Sequence, residues 1–251
     1  KELRERTGLG MMECKKALVE SDGDVEQAIE EMRKNSGMKA AKKAGRTAAD
    51  GVVAAKIAGD GKSGVLVEVN SETDFAARDT GFLAFVDQVL EKASASNETD
   101  VAKLMEGDLE KAREALVQKI GENISVRRIV FLSDAVVGQY IHSTNRIGVL
   151  VALSGGDAEL AKDIAMHIAA SNPNYIDQSE ISTELLKEES RILALQAEEE
   201  GKPKEIIEKI VQGKLNKKMS QLTLMGQEFI KDPDITIEQL LNDSNVKVNS
   251  F

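Results

Sequence analysis

The period of apolar positions changes several times along this chain. Residues 1–35 read as three short helices, the first ending near Thr7-Gly8-Leu9-Gly10 and the second covering residues 11–20 before Ser21-Asp22-Gly23. The third follows Asp24, a good N-cap residue with Gln27 three positions on, and Val25, Ala28, Ile29 and Met32 form one stripe at i, i+3, i+4, i+7. Helices this short bury little surface alone, so the head is expected to lean on another part of the protein. Residues 34–46 hold five bases and no acids, with Gly37 and Gly45 interrupting an Ala/Lys stretch. They read as a basic, partly helical linker.

After residue 46 the pattern becomes that of strands. Residues 51–58 and 64–70 flank a Gly59-Asp60-Gly61-Lys62-Ser63 turn and predict a hairpin, followed by a helix over 77–92 with Phe82, Phe85, Val86, Val89 and Leu90 on one side. A loop over 94–99, a helix over 109–120 and a strand over 123–132 follow. The hairpin-then-helix order then recurs: strands at 138–142 and 146–153 around Ser143-Thr144-Asn145, and a helix over 157–170. Gly64-Val65-Leu66-Val67 returns as Gly148-Val149-Leu150-Val151, 84 residues later, which favours two related α+β subdomains. Residues 181–200 and a helix ending near 219 flank Gly201-Lys202-Pro203, with Leu185, Ile192 and Leu195 facing Ile207, Ile210 and Leu215 across a narrow seam. The tail reads as strand-like pieces at 221–225 and 246–251 around a helix at 237–241. It ends on apolar Phe251, as a chain with more to follow would, and Lys1 in place of an initiator Met marks a processed or trimmed start.

Composition narrows the function more than the fold. Of 251 residues 41% are hydrophobic and 30% charged, with three prolines, and no apolar run is long enough to cross a membrane. The 33 Lys and Arg against 43 Asp and Glu give a charge of −10, which disfavours a broad grip on nucleic acid. Residues 1–46 carry 11 bases and 9 acids, so the excess acid lies in the body. A single cysteine, Cys14, forms no internal disulfide and suits the reducing cytoplasm.

No active site is legible. Gly61-Lys62-Ser63 lacks the earlier glycine of a phosphate loop, position 56 being Lys56, and a strand follows it. His142 and His167 stand 25 residues apart with no partner at metal-ligand spacing, so neither metal nor cofactor is expected. His167 and Cys14 read as packing residues. Met11 and Met12 suit either a small core or an adaptable partner surface. The most unusual stretch is Asn70-Ser71-Glu72-Thr73-Asp74-Phe75-Ala76, where a strand ends and an aromatic appears among polar neighbours before a helix that Thr73 or Asp74 can cap. Phe75 either folds back as a staple or protrudes as an anchor for another protein.

Leu3-Arg4-Glu5-Arg6-Thr7-Gly8-Leu9-Gly10-Met11-Met12-Glu13-Cys14-Lys15-Lys16-Ala17-Leu18 resembles the first signature of the bacterial elongation factor Ts family, and Glu68-Val69-Asn70-Ser71-Glu72-Thr73-Asp74-Phe75 resembles its second. Lys119-Ile120-Gly121-Glu122-Asn123-Ile124, residues 146–151, Met166-His167-Ile168-Ala169-Ala170-Ser171 and Gly201-Lys202-Pro203 extend the likeness over essentially the whole chain. The resemblance implies an α+β protein with five parts. A UBA-like three-helix head and linker occupy 1–46, and a two-subdomain core with antiparallel sheets occupies 47–134 and 135–180. An antiparallel coiled-coil protrusion occupies 181–220, and 221–251 return to the core short of a C-terminal module. It also implies a cytoplasmic guanine-nucleotide exchange factor without covalent chemistry, partnered by the GTPase elongation factor Tu rather than by nucleic acid or membrane. The alternative is a helical and α+β scaffold that binds without promoting exchange. By resemblance Thr73, Asp74, Phe75 and Ala76 dislodge the partner's Mg²⁺, while Arg4, Met11, Met12, Ile120, Gly121 and His142 bind the partner. Ala76 departs from the family's usual Val, and the C-terminal module has no counterpart here.

Overall fold

A computed structural model describes residues 1–201 and 203–251, with residues 204 and 205 described by their backbone alone. The chain is a mixture of helices and small antiparallel sheets, and it divides into two compact units. The first comprises residues 1–58, 64–131 and 141–148, and the second comprises 59–63, 132–140 and 149–251.

In the first unit α1 (Glu2–Thr7), α2 (Met11–Glu20) and α3 (Val25–Lys43) enclose a small core of Leu3, Leu9, Cys14, Ala17, Ala28 and Met32. Asp24 caps α3 by accepting the Gln27 N–H. The expected linker is mostly helix, because α3 continues to Lys43 against a later helix, α7. Small residues permit that approach: Ser36 and Ala40 are buried, and a Cβ on Gly37 would lie 2.8 Å from the Glu114 carboxylate. Glu13 of α2 accepts from Gln118 Nε2 at 3.0 Å and pairs with Lys39, so the head leans on α7 as its size required.

β1 (Asp50–Ile57) and β2 (Ser63–Ser71) form the expected hairpin, registered Asp50 to Ser71 and Ile57 to Gly64. The helix expected from residue 77 is two: a single turn, α4 (Asp74–Ala77), and α5 (Thr80–Ser96). Asp79 separates them by accepting the Gly81 and Phe82 N–H groups, which starts α5 anew. The five apolar residues read on this helix are all buried. α6 (Val101–Met105) lies next, unforeseen, then α7 (Asp108–Ile120) and β3 (Ser125–Ser133), which completes the sheet β1-β2-β3.

The second unit contains most of β4 (Val136–Ile141) and β5 (Gly148–Leu153), followed by α8 (Ala158–Ser171). β5 lies between β4 and the terminal β8 (Val248–Ser250). The two Gly-Val-Leu-Val repeats thus open the middle strands of the two three-stranded sheets. A 3₁₀ turn, Gln178–Glu180, leads to α9 (Thr183–Glu199) and α10 (Lys204–Leu222). These run antiparallel, since Glu189 near the start of α9 pairs with Lys218 near the end of α10. The expected seam is found in part: Ile207 is buried together with Ala197 and Val211, with Leu193 and Ala194 beside them, and Leu185, Ile192, Ile210 and Leu215 are half-buried, whereas Leu195 is exposed. Alanines on α9 let α10 approach there more closely than leucines would. The turn chemistry expected of Gly201-Lys202-Pro203 includes Lys202, which lies outside the described residues.

In the tail the expected helix at 237–241 and strand within 246–251 are present as α11 (Ile237–Asp243) and β8, while the strand expected at 221–225 is not. Residues 221–222 finish α10, and β6 (Glu228–Phe229) and β7 (Asp232–Thr236) form an unforeseen two-stranded ribbon before α11. The ribbon is held by His167 of α8. The buried imidazole donates from Nε2 to Gln227 Oε1 at 2.9 Å and accepts the Ile230 N–H at Nδ1, with the Phe229 ring centroid 6.2 Å away.

Candidate functional site

The loop after β2 is built to expose one aromatic. Its polar half is capped twice: the Ser71 hydroxyl donates to Thr73 O at 2.9 Å, and Thr73 Oγ1 accepts the Ala76 N–H to begin α4. Within that single turn Ala76 and Ala77 are buried against the unit while Phe75, on the other side, is 81% exposed. This overturns the staple. It also places Ala76 inside, so its departure from Val concerns packing beneath the loop. Asp74 is held by Arg78 at 2.9 Å one turn on.

A second loop, at the end of α7, fastens the first. Glu122 accepts both the Thr73 N–H (2.9 Å) and the Thr73 hydroxyl (2.7 Å), and Glu72 accepts the Asn123 N–H (2.6 Å). Gly121 ends α7 in the left-handed region at φ 86°, its N–H on Val117 O, and a Cβ there would meet no atom of this chain within 4 Å. The surface beside it is open to a close backbone approach. Ile120 is half-buried against the unit's core. Lys43 donates to Gly121 O, and Asn123 Nδ2 donates to Arg46 O at 2.8 Å, so the end of α3 is fixed to the same loop.

His142 reaches this unit by the turn between β4 and β5. Asn145 O accepts the Val53 N–H at 2.7 Å, and Arg146 pairs with Asp50, the residue registered opposite Ser71. The turn is therefore tied to the end of the β1–β2 hairpin from which the Phe75 loop departs. Thr144 N–H donates to His142 Nδ1 and orients the ring.

In the head Met11 and Met12 are 68% and 70% exposed. Met11 and Arg4 line a groove of about 1080 Å³ together with Leu3, Cys14, Leu18 and Val19, and Met12 lies outside that lining. Neither methionine therefore belongs to the head's core. Sequence reasoning missed exposed Val19 and Met38, and it missed Glu72 and Glu122. The signal for the glutamates was available in Gly121-Glu122-Asn123, a charged residue directly after a helix-ending glycine.

The two other residues singled out in the sequence, Cys14 and His167, lie inside the fold. Cys14 is buried, and burial holds the His167 imidazole below its ordinary range despite the opposing hydrogen bond to Gln227. Among the described residues no three His, Cys, Asp or Glu side chains converge as metal ligands, and no helix is long and apolar enough to cross a membrane.

Comparison with known proteins identifies the family. The family model described as elongation factor TS matches residues 72–251. Elongation factor Ts of Hahella chejuensis is 58% identical over 248 residues, covering 99% of this chain and 87% of that protein. Elongation factor Ts of Saccharophagus degradans and of Cellvibrio japonicus are each 56% identical, covering 100% of this chain and 87% of the relative. On the strength of full-length identity and of the match across both units, the chain belongs to the elongation factor Ts family of translation elongation factors.

Proposed function

We propose that this chain binds the GTPase elongation factor Tu in the cytoplasm and accelerates its release of GDP, making and breaking no covalent bond. The observation that carries the reading is Phe75, a large aromatic exposed on a pinned loop in a chain of this family. Phe75 enters the partner between two helices near its Mg²⁺ site, with Asp74 beside it, Thr73 fixing the turn and Ala76 packed beneath. Mg²⁺ screens the phosphate charge, so disturbing its ligands loosens the nucleotide. His142 presses on the same partner domain, and Ile120 and Gly121 offer the close backbone approach. Arg4, Met11 and Met12 engage the partner from the head.

The finer architecture follows the same reading: a UBA-like head ending in a long α3, a core formed by 47–134 and 135–180 with 221–251, and a coiled-coil protrusion over 181–220. Support for the protrusion comes from the narrow Ala197, Ile207 and Val211 seam and its flanking ion pairs. Exchange requires that the chain bind nucleotide-free partner more tightly than GDP-bound partner, and linkage then makes GDP weaken this chain's binding by the same factor.

The test is stopped-flow release of a fluorescent GDP from elongation factor Tu with substoichiometric chain. Acceleration over many turnovers is expected. An unchanged release rate across concentrations that saturate complex formation overturns the proposal.

A further inference from the structure

The two loops of the site are joined by a reciprocal arrangement. Glu122 accepts the backbone N–H that follows Glu72, and Glu72 accepts the backbone N–H that follows Glu122. Each carboxylate therefore holds the other's loop, through segments 49 and 51 residues apart in the chain. Hydrogen bonds with an ionised acceptor are the stronger kind, and here they are 2.6–2.9 Å long. The Thr73 hydroxyl has two roles, donating to Glu122 while accepting the Ala76 N–H that starts α4.

α4 has four residues, too few to be stable as an isolated helix. What orients Phe75 must therefore come from outside the turn: the inward packing of Ala76 and Ala77 on one side and the Glu72–Glu122 clasp on the other. The clasp leads to rigid structure, since its second loop ends α7 and is tied to the end of α3 by Lys43 on Gly121 O and by Asn123 on Arg46 O. A side chain that pries apart two helices experiences an equal opposing force. On an unfastened loop that force would bend the loop.

We propose that Glu72 and Glu122 are positioning residues for nucleotide exchange, holding the Phe75 turn stiff so that binding is converted into displacement. The inference rests on the exchange reading above. It assigns to the clasp the maximal exchange rate, and leaves affinity to the broader contact surface.

The experiment compares wild-type chain with Glu122→Gln, Glu72→Gln and Phe75→Ala in GDP release from elongation factor Tu, titrated to saturation, with amide exchange of each free chain alongside. Glutamine preserves size; at position 122, where both oxygens accept, it opposes an NH₂ group to one of the donors, and at position 72 it removes the charge that strengthens the bond from the Asn123 N–H. For both Gln variants the saturating release rate should fall by roughly five- to thirtyfold while the half-saturating concentration shifts less than about threefold, and the Thr73 or Asn123 amide should exchange at least about tenfold faster. A purely structural role would lower thermal stability with the saturating rate intact. If Glu122→Gln does not fold, Glu72→Gln tests the same clasp from the other loop. A wild-type saturating rate in the Gln variants, with Phe75→Ala slow, overturns the positioning role alone, as does a loss confined to half-saturation. A wild-type rate in Phe75→Ala overturns the wedge and the positioning role with it.

Discussion

Replacing Phe75 with alanine should separate stability from the proposed function in this chain. The ring is 81% exposed, so its removal takes almost nothing from the core, and alanine is the better helix former at the middle of α4. Urea unfolding should place Phe75→Ala within about 0.5 kcal/mol of wild type. The functional magnitude comes from the same exposure. Full burial of a phenylalanine side chain contributes roughly 1.5–3 kcal/mol, and four-fifths of that remains to be realised on a partner, giving about 1.2–2.4 kcal/mol. If that energy is realised only against the nucleotide-free partner, it appears as coupling, within the usual range of about 1–3 kcal/mol. The rate of GDP release at saturating chain should then fall about eight- to sixtyfold, with much of the affinity for the GDP-bound partner retained. Stopped-flow fluorescence gives the rate, and titration calorimetry on GDP-bound and nucleotide-free partner gives the coupling directly. Equal loss of affinity for both partner states, with no change in their ratio, would refute the reasoning, because the ring would then be an ordinary contact.

Met11→Ala in the head should also leave the melting temperature unchanged, since the residue is 68% exposed, but raise the half-saturating concentration several-fold at an unaltered saturating rate, the opposite split from the clasp variants. Gly51→Ala should destabilise the first unit by about 3 kcal/mol or more in urea unfolding, because at φ 136° the new Cβ would lie 2.1 Å from Val69 O in the paired strand. The buried His167 has its folded pKa below the 6.5 of a free imidazole, so the unfolded chain binds the extra proton first as pH falls. Its stabilising contribution is complete above about pH 6.5 and is lost progressively below it, so urea midpoints between pH 7.5 and 5.5 should decline in wild type and decline less in His167→Gln.

Where a long period runs uninterrupted, the fold is legible. The stripe of Phe82, Phe85, Val86, Val89 and Leu90 and the hairpin around Gly59–Ser63 are found as read, because each buries one continuous face. The readings that failed share a cause. Residues 34–43, read as a linker only partly helical, have the charge of a linker and the alanines of a helix, and what decides for helix throughout is α7, against which Ser36 and Ala40 are buried. α6 has five residues and β6 two, lengths at which no period exists to be recognised. The seam between α9 and α10 includes Ile207 as read, but on α9 its most buried residue is Ala197 rather than Leu195, because close approach of helices favours small residues.

The site divides along the same line. Which residues of the Phe75 turn face outward follows from neighbours in the chain, since two consecutive alanines supply the inward side and the aromatic must take the other. The head's Met11 is legible for a similar reason, lying beside glycine at the start of a ten-residue helix whose buried face is spoken for by Cys14 and Ala17. How firmly the turn is held has no local signature. Glu72 and Glu122 look like any solvated acids in a chain of net charge −10, and their partners stand about fifty residues away. Changes at Phe75 and changes at the two glutamates therefore test different properties: the first removes the group proposed to do the displacing, and the second leaves it in place on a loop able to yield.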